Sequence, residues 1–136
     1  MNEPEEYKMW LVVRKDLNMP AGKLAVQSGH AFQLLTLEVT NKNPELFAKY
    51  YNNQSIVKIC VEAKSEDHLL KVVDACSLSN IPVSLVKDAG RTVFAEPTFT
   101  VCAFGPWLRS ELPSKLKKLK LYGEENVKEE DKQKLS

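Results

Sequence analysis

The sequence predicts an α/β fold, a three-layer α/β/α arrangement around a four-stranded mixed sheet. Three observations predict it. Four short apolar runs rich in β-branched and aromatic residues recur along the chain, as strands buried inside a sheet require. Stretches of good helix formers lie between them, so helices cover both faces of the sheet. With 136 residues, the chain is long enough for one hydrophobic core and too short for two ordinary domains.

The first run is Met9-Trp10-Leu11-Val12-Val13, broken by Arg14 to Asn18. Pro20 fits the first turn of a helix, where its missing N–H costs nothing, and residues 20 to about 38 continue that helix. Asn41 to Pro44 interrupts, and Glu45 to Tyr51 reads as a short second helix. Ile56 to Val61 is the second strand. Ser65 then caps a third helix, whose broad apolar face carries Leu69, Leu70, Val72, Val73 and Ala75. Ile81 to Val86 is the third strand, with Pro82 near its start, where a missing ladder donor is tolerated. Phe99 to Phe104 is the fourth. Residues 7–122 form the predicted domain, and 1–6 and 123–136 are flexible charged tails with too little apolar surface to order.

The formal charge of +1 hides an uneven distribution. The two tails together hold eight acids and three lysines, which leaves 16 bases against 10 acids in residues 7–122. The core is therefore basic and suits a phosphate-bearing partner. No apolar run approaches the roughly 18 residues a membrane helix needs, and the acidic start has no apolar stretch to serve as a secretory signal. A cytoplasmic location is expected. Cys60, Cys76 and Cys102 are odd in number and form no Cys-x-x-Cys, so buried structural thiols are expected.

Lys23, Gln27 and His30 lie on one narrow strip of the first helix, because each residue turns it by about 100°. Such a polar strip on an otherwise apolar surface is either a solvated edge, with the histidine bonded to a backbone carbonyl, or part of a site. Lys87-Asp88-Ala89-Gly90-Arg91-Thr92 follows directly on the third strand. Ligands bind at the carboxyl ends of strands in open α/β sheets, so this segment is either a site or an ordinary turn built on Asp88 and Gly90. Trp107 to Tyr122 carries Arg109, Lys115, Lys117, Lys118 and Lys120 against Glu111, which is either a stripe for phosphates or a solvated face. No metal-ligand spacing, Gly-rich phosphate loop or G-x-S-x-G elbow is present. Neither a metal nor another cofactor is expected.

Taken in order, these segments resemble one family. Leu11 to Leu17 followed by Pro20-Ala21-Gly22-Lys23-Leu24-Ala25-Val26-Gln27-Ser28-Gly29-His30-Ala31 is similar to the first strand and Gly-Lys-x-x-x-Gln-x-x-His-Ala helix of the archaeal and eukaryotic type 2 peptidyl-tRNA hydrolases. Val83 to Thr92 resembles their second signature, and Thr100-Val101 with Gly105-Pro106 their last strand and turn. The resemblance covers roughly residues 8 to 122. It implies an enzyme that cuts the ester between a peptide and its tRNA, usually as a homodimer. It also implies functional roles for Lys23, Gln27, His30, Asp88, Thr92 and Thr100. Ser28-Gly29 departs from the family's Cys-Ser and alters the wall beside the strip.

Under that resemblance, Asp88 orients or deprotonates the water, and Lys23 serves the oxyanion or the leaving ribose oxygen. His30, Gln27 and Thr92 position the reactants. Arg91, Lys15, Lys87, Thr100, Lys117 and Lys118 hold the tRNA. Two other classes stay open: a tRNA- or protein-binding module of the same fold with weak catalysis, and a hydrolase of some other acyl ester or small metabolite.

Overall fold

The computed structural model describes residues 5–52, 56–90, 94 and 96–123. Strand β1 (Tyr7–Arg14) leads through a short 3-10 turn into helix α1 (Ala21–Lys42). Helix α2 (Pro44–Tyr51), β2 (Lys58–Ala63), α3 (Glu66–Leu78), β3 (Val83–Asp88), β4 (Thr98–Leu108) and the short α4 (Ser114–Lys117) follow. The four strands form one sheet in the order β2-β1-β4-β3, with β1 and β2 parallel and β4 antiparallel to both β1 and β3. The predicted mixed sheet is therefore present. Because β4 alone runs the other way, β1, β2 and β3 all finish at the same end.

Period-two alternation decides which side chains enter which layer. Trp10 and Val12 of β1 pack with Leu69, Val72 and Cys76 of α3, whereas Met9, Leu11 and Val13 pack with Ala31, Leu35 and Val39 of α1. This double burial explains why β1 reads as an unbroken apolar run. Phe104 of β4 stacks on Trp10 with ring centroids 5.1 Å apart. Local chemistry sets the helix starts. The Ser65 hydroxyl accepts from His68 N–H at 3.1 Å, as the capping pattern predicts, and Asn43 does the same for α2 through Leu46 N–H.

The elements run further than their apolar patterns. Helix α1 continues past 38 to Lys42, since Thr36, Glu38 and Thr40 are tolerated on its outer side. Strand β4 runs through Gly105 and Pro106 to Leu108. One contact reaches the domain from outside residues 7–122. Glu5 is tied to the fold: its carboxylate accepts from the Ser110 N–H at 3.0 Å and from the Ser110 hydroxyl. Those bonds hold Glu5 below the usual carboxylate range, so the acidic start is not wholly a loose tail. Residues 1–4 and 124–136 lie outside the described residues. Cys76 and Cys102 are buried and Cys60 is partly buried. Burial pushes the thiols of Cys60 up to about 11 and of Cys76 up to about 12, and that of Cys102 well up, with Cys76 adding to it. None of the three is a thiolate at neutral pH, which suits packing and not attack.

Candidate active site

Asp88 is the last residue of β3, and its side chain points to the α1 face together with those of Ser84 and Val86. The Ser84 hydroxyl bonds the Ala31 carbonyl at 2.8 Å, which pins β3 to α1. Lys23, in the first turn and a half of α1, meets Asp88 there: Nζ donates to Oδ2 in an ion pair. The other carboxylate oxygen, Oδ1, accepts from the Gly90 N–H at 2.8 Å. The two side chains are nearly enclosed, at 10% and 4% exposure. Residues 65 positions apart thus form one buried charge pair at the carboxyl end of the sheet.

Gln27, one turn after Lys23, is buried beside the pair. A β-bulge supplies its partner. Val86 and Lys87 of β3 face Val101 and Phe99 of β4, so Thr100 is an extra residue in the ladder. The bulge turns Thr100 out of alternation and toward α1. Its hydroxyl lies 3.0 Å from Gln27 Oε1 and donates to it, with the Val86 carbonyl at 3.5 Å. Thr100 is fully buried, with its hydroxyl turned to Gln27 and not to the surface.

The remaining candidates are dispersed. His30 is exposed and shares the outer surface of α1 with Val26 and Leu34, its neighbours one turn away on either side. It can meet a substrate but does not brace the pair. Lys87 alternates onto the opposite face, its Nζ 5.0 Å from the Phe99 ring centroid. Lys15 lies at the end of β1, 3.6 Å from Glu62. Lys117 and Lys118 belong to the α4 segment, on the α3 side of the sheet. Arg91 and Thr92 lie outside the described residues.

Two contributors escaped the sequence reading. Lys23 Nζ lies 5.8 Å from the centroid of the Phe94 ring, which flanks the ammonium. An aromatic residue so soon after Gly90 was the available signal. Arg14 is buried at the end of β1, where it clamps Asp16 through two nitrogens at 3.1 and 2.6 Å and donates to the Phe99 carbonyl at 3.0 Å. It fixes the start of β4 next to the Thr100 bulge. Nothing in its pattern separated it from a surface base.

Gly29 is exposed, and a Cβ there would meet nothing within 4 Å. The open space means that no packing demands glycine. Gly29→Ala should raise stability by roughly 0.5–1 kcal/mol, because alanine loses less backbone entropy in a helix. A melting point at or below that of the unsubstituted protein would show a contact that only glycine allows.

The described residues contain no group of three or more His, Cys, Asp or Glu able to hold a metal ion, and no helix among them is long and apolar enough to cross a membrane. A buried Lys–Asp pair can instead move protons and stabilise developing negative charge. The family profile described as Peptidyl-tRNA hydrolase PTH2 matches residues 7–122. The chain is 37% identical over 123 residues to Peptidyl-tRNA hydrolase 2, mitochondrial, of Bos taurus, covering 90% of this chain and 68% of that protein. The Homo sapiens protein of the same name is 36% identical over the same shares. Peptidyl-tRNA hydrolase of Staphylothermus marinus is 37% identical over 101 residues, 74% of this chain and 83% of that protein. The chain belongs to the Peptidyl-tRNA hydrolase PTH2 family.

Proposed function

We propose that Lys23 and Asp88 carry the reaction of this enzyme, the hydrolysis of the ester that joins a peptide to its tRNA. The single observation that supports their roles is the enclosed ion pair at the strand ends. Asp88 accepts a proton from water as the water oxygen bonds to the ester carbon. Lys23 stabilises the oxyanion and gives a proton to the ribose oxygen as the carbon–oxygen ester bond breaks. The contact between the two then returns the proton from Asp88 to Lys23, so no proton is gained or lost by the pair over the cycle. Gln27, held by Thr100, positions the reacting ester, and Phe94 keeps the ammonium in place.

His30, Arg91, Thr92, Lys15 and Lys87 are proposed to contact tRNA or substrate less directly. Residues 7–122 are proposed as the folding unit, a boundary supported by the start of β1 at one end and by the Leu121 bridge to Val61 at the other. A homodimer is proposed as well. Val26, Leu34 and Leu37, all exposed on α1, supply apolar surface for a second copy to cover. A cytoplasmic location belongs to the same reading.

Purified protein incubated with N-blocked aminoacyl-tRNA and with free aminoacyl-tRNA, chelator present, tests the activity. The blocked substrate should be cleaved much faster, at a rate the chelator does not change. Inactivity toward the blocked substrate would favour the binding-module reading, and undiminished activity in excess bulk tRNA would favour a small acyl ester.

A further inference from the structure

A groove of about 490 Å³ opens on the α3 face, across the sheet from the Lys23–Asp88 pair. Its walls carry Lys64, Lys71, Lys115, Lys118 and Lys120 with His68. Glu62 is the one acid in its lining, and Lys15 stands 3.6 Å from it. Asp67, on the outer surface of α3, pairs with Lys71 at 3.0 Å and is largely exposed. The balance inside the groove is therefore strongly positive.

The groove is built into the fold. After α4 the chain returns to the free edge of β2: Glu62 N–H donates to the Lys120 carbonyl at 2.9 Å, and Leu121 bridges Val61. Leu116 and Leu119 anchor the intervening segment in the core beside Val72. The lysines of the 115–120 segment are thus held opposite those of α3 and its leading turn. His68 has a fixed orientation too, because its Nδ1 accepts the Lys64 N–H at 2.9 Å. The remaining ring nitrogen, Nε2, then carries the proton and can donate.

We propose that this groove binds the sugar-phosphate backbone of the tRNA arm, remote from the ester. The inference rests on the peptidyl-tRNA reading of the Lys23–Asp88 site and extends it. Charge selects a polyanion, and the apolar floor of Val72, Leu116 and Leu119 suits the carbon faces of sugars between phosphates. Position selects the substrate itself. Lys64 follows the end of β2 as Asp88 ends β3, at the same end of the sheet. Three strand spacings, about 14 Å, separate the two edges. Lys15, at the end of β1, lies between them. A tRNA whose 3′ end reaches Asp88 can lay its arm around that end of the sheet. Backbone contacts of this kind carry no sequence information, as an enzyme serving many tRNAs requires.

The test is the triple variant Lys64→Gln, Lys71→Gln, Lys115→Gln, assayed on N-acetyl-aminoacyl-tRNA and on an N-acetyl-aminoacyl ester of the trinucleotide CCA. The trinucleotide carries the 3′ end but lacks the arm that the groove would hold. The variant should fold with an unchanged melting point, raise KM for the tRNA substrate by roughly tenfold or more and reduce the log–log dependence on salt by about 2. Its turnover and its activity on the trinucleotide ester should stay at the level of the unsubstituted protein. An unchanged KM and salt slope on tRNA would overturn the proposal, as would an equal loss on both substrates, which marks a structural effect. A fall in KM would also overturn it, by showing that an acidic segment of the chain itself occupies the groove. Failure of the peptidyl-tRNA reading would appear separately, as inactivity of the unsubstituted protein on the tRNA substrate.

Discussion

Replacing Asp88 by asparagine is expected to lower turnover on N-blocked aminoacyl-tRNA by on the order of 10² to 10⁴. Its effect on KM should be small, because the carboxylate acts mainly in the transition state. Asparagine keeps the size of the side chain and can still accept from the Gly90 N–H. What it loses is the base and the counter-charge to Lys23. Lys23→Met should cost a similar factor through the oxyanion and the leaving group. Because the two groups act as a unit, the double variant should be little slower than the worse single one. Stability separates chemistry from folding. Removing one partner of a buried pair leaves an uncompensated charge, at a cost of up to about 3–5 kcal/mol, whereas removing both can be close to neutral. The double variant should therefore recover melting temperature while its turnover stays low. Folded single variants with turnover within tenfold of the unsubstituted protein would sink the assignment.

The parts of this site that were legible in the sequence are those that follow element periodicity. Lys23 and Gln27 share a helix strip, and both lie at the buried edge of α1. Asp88 was found because strand ends in such sheets collect ligands. The same alternation carried a warning about Lys87. Ser84, Val86 and Asp88 share one face, so Lys87 belongs with Val83 and Leu85 on the other. The core face of α1 drifts along Gln27, Ala31, Leu35 and Val39, away from the strip, which leaves His30 at the exposed edge. Thr100 was not readable from its pattern at all. Simple alternation would have put it on the α3 face, and only a bulge turns it to Gln27. Bulges depend on how two strands register, which is information that neither strand holds alone.

The second bulge leads to a large expected loss of stability that does not touch the site. The Gly105-Pro106 pair resembled a turn after the last strand, but β4 passes through it, with Lys8 facing Trp107 and Trp10 facing Phe104. Gly105 and Pro106 together oppose Met9, two residues against one, and a proline is tolerated where the ladder is already interrupted. Gly105 has φ of +111°, a conformation L side chains rarely adopt. A Cβ there would lie 2.6 Å from the Lys8 carbonyl oxygen and 3.2 Å from Met9 Cα. Both neighbours are backbone in a central strand, so no side chain can rotate away. Gly105→Ala combines backbone strain with an overpacked contact and should cost on the order of 3 kcal/mol. For a chain of this size that corresponds to a drop of about 10 °C in melting temperature. Gly29→Ala, which adds the same atom in open space, is the matched control and should move the other way. Gly105 donates to the Pro82 carbonyl at the start of β3, the end away from Asp88. Turnover of the variant well below its melting point should therefore stay within about twofold, as expected for a site with no shared partners. A variant that melts with the unsubstituted protein would mean that β1 and β4 can slide apart at Met9 at little cost, and that the bulge is not what sets their register.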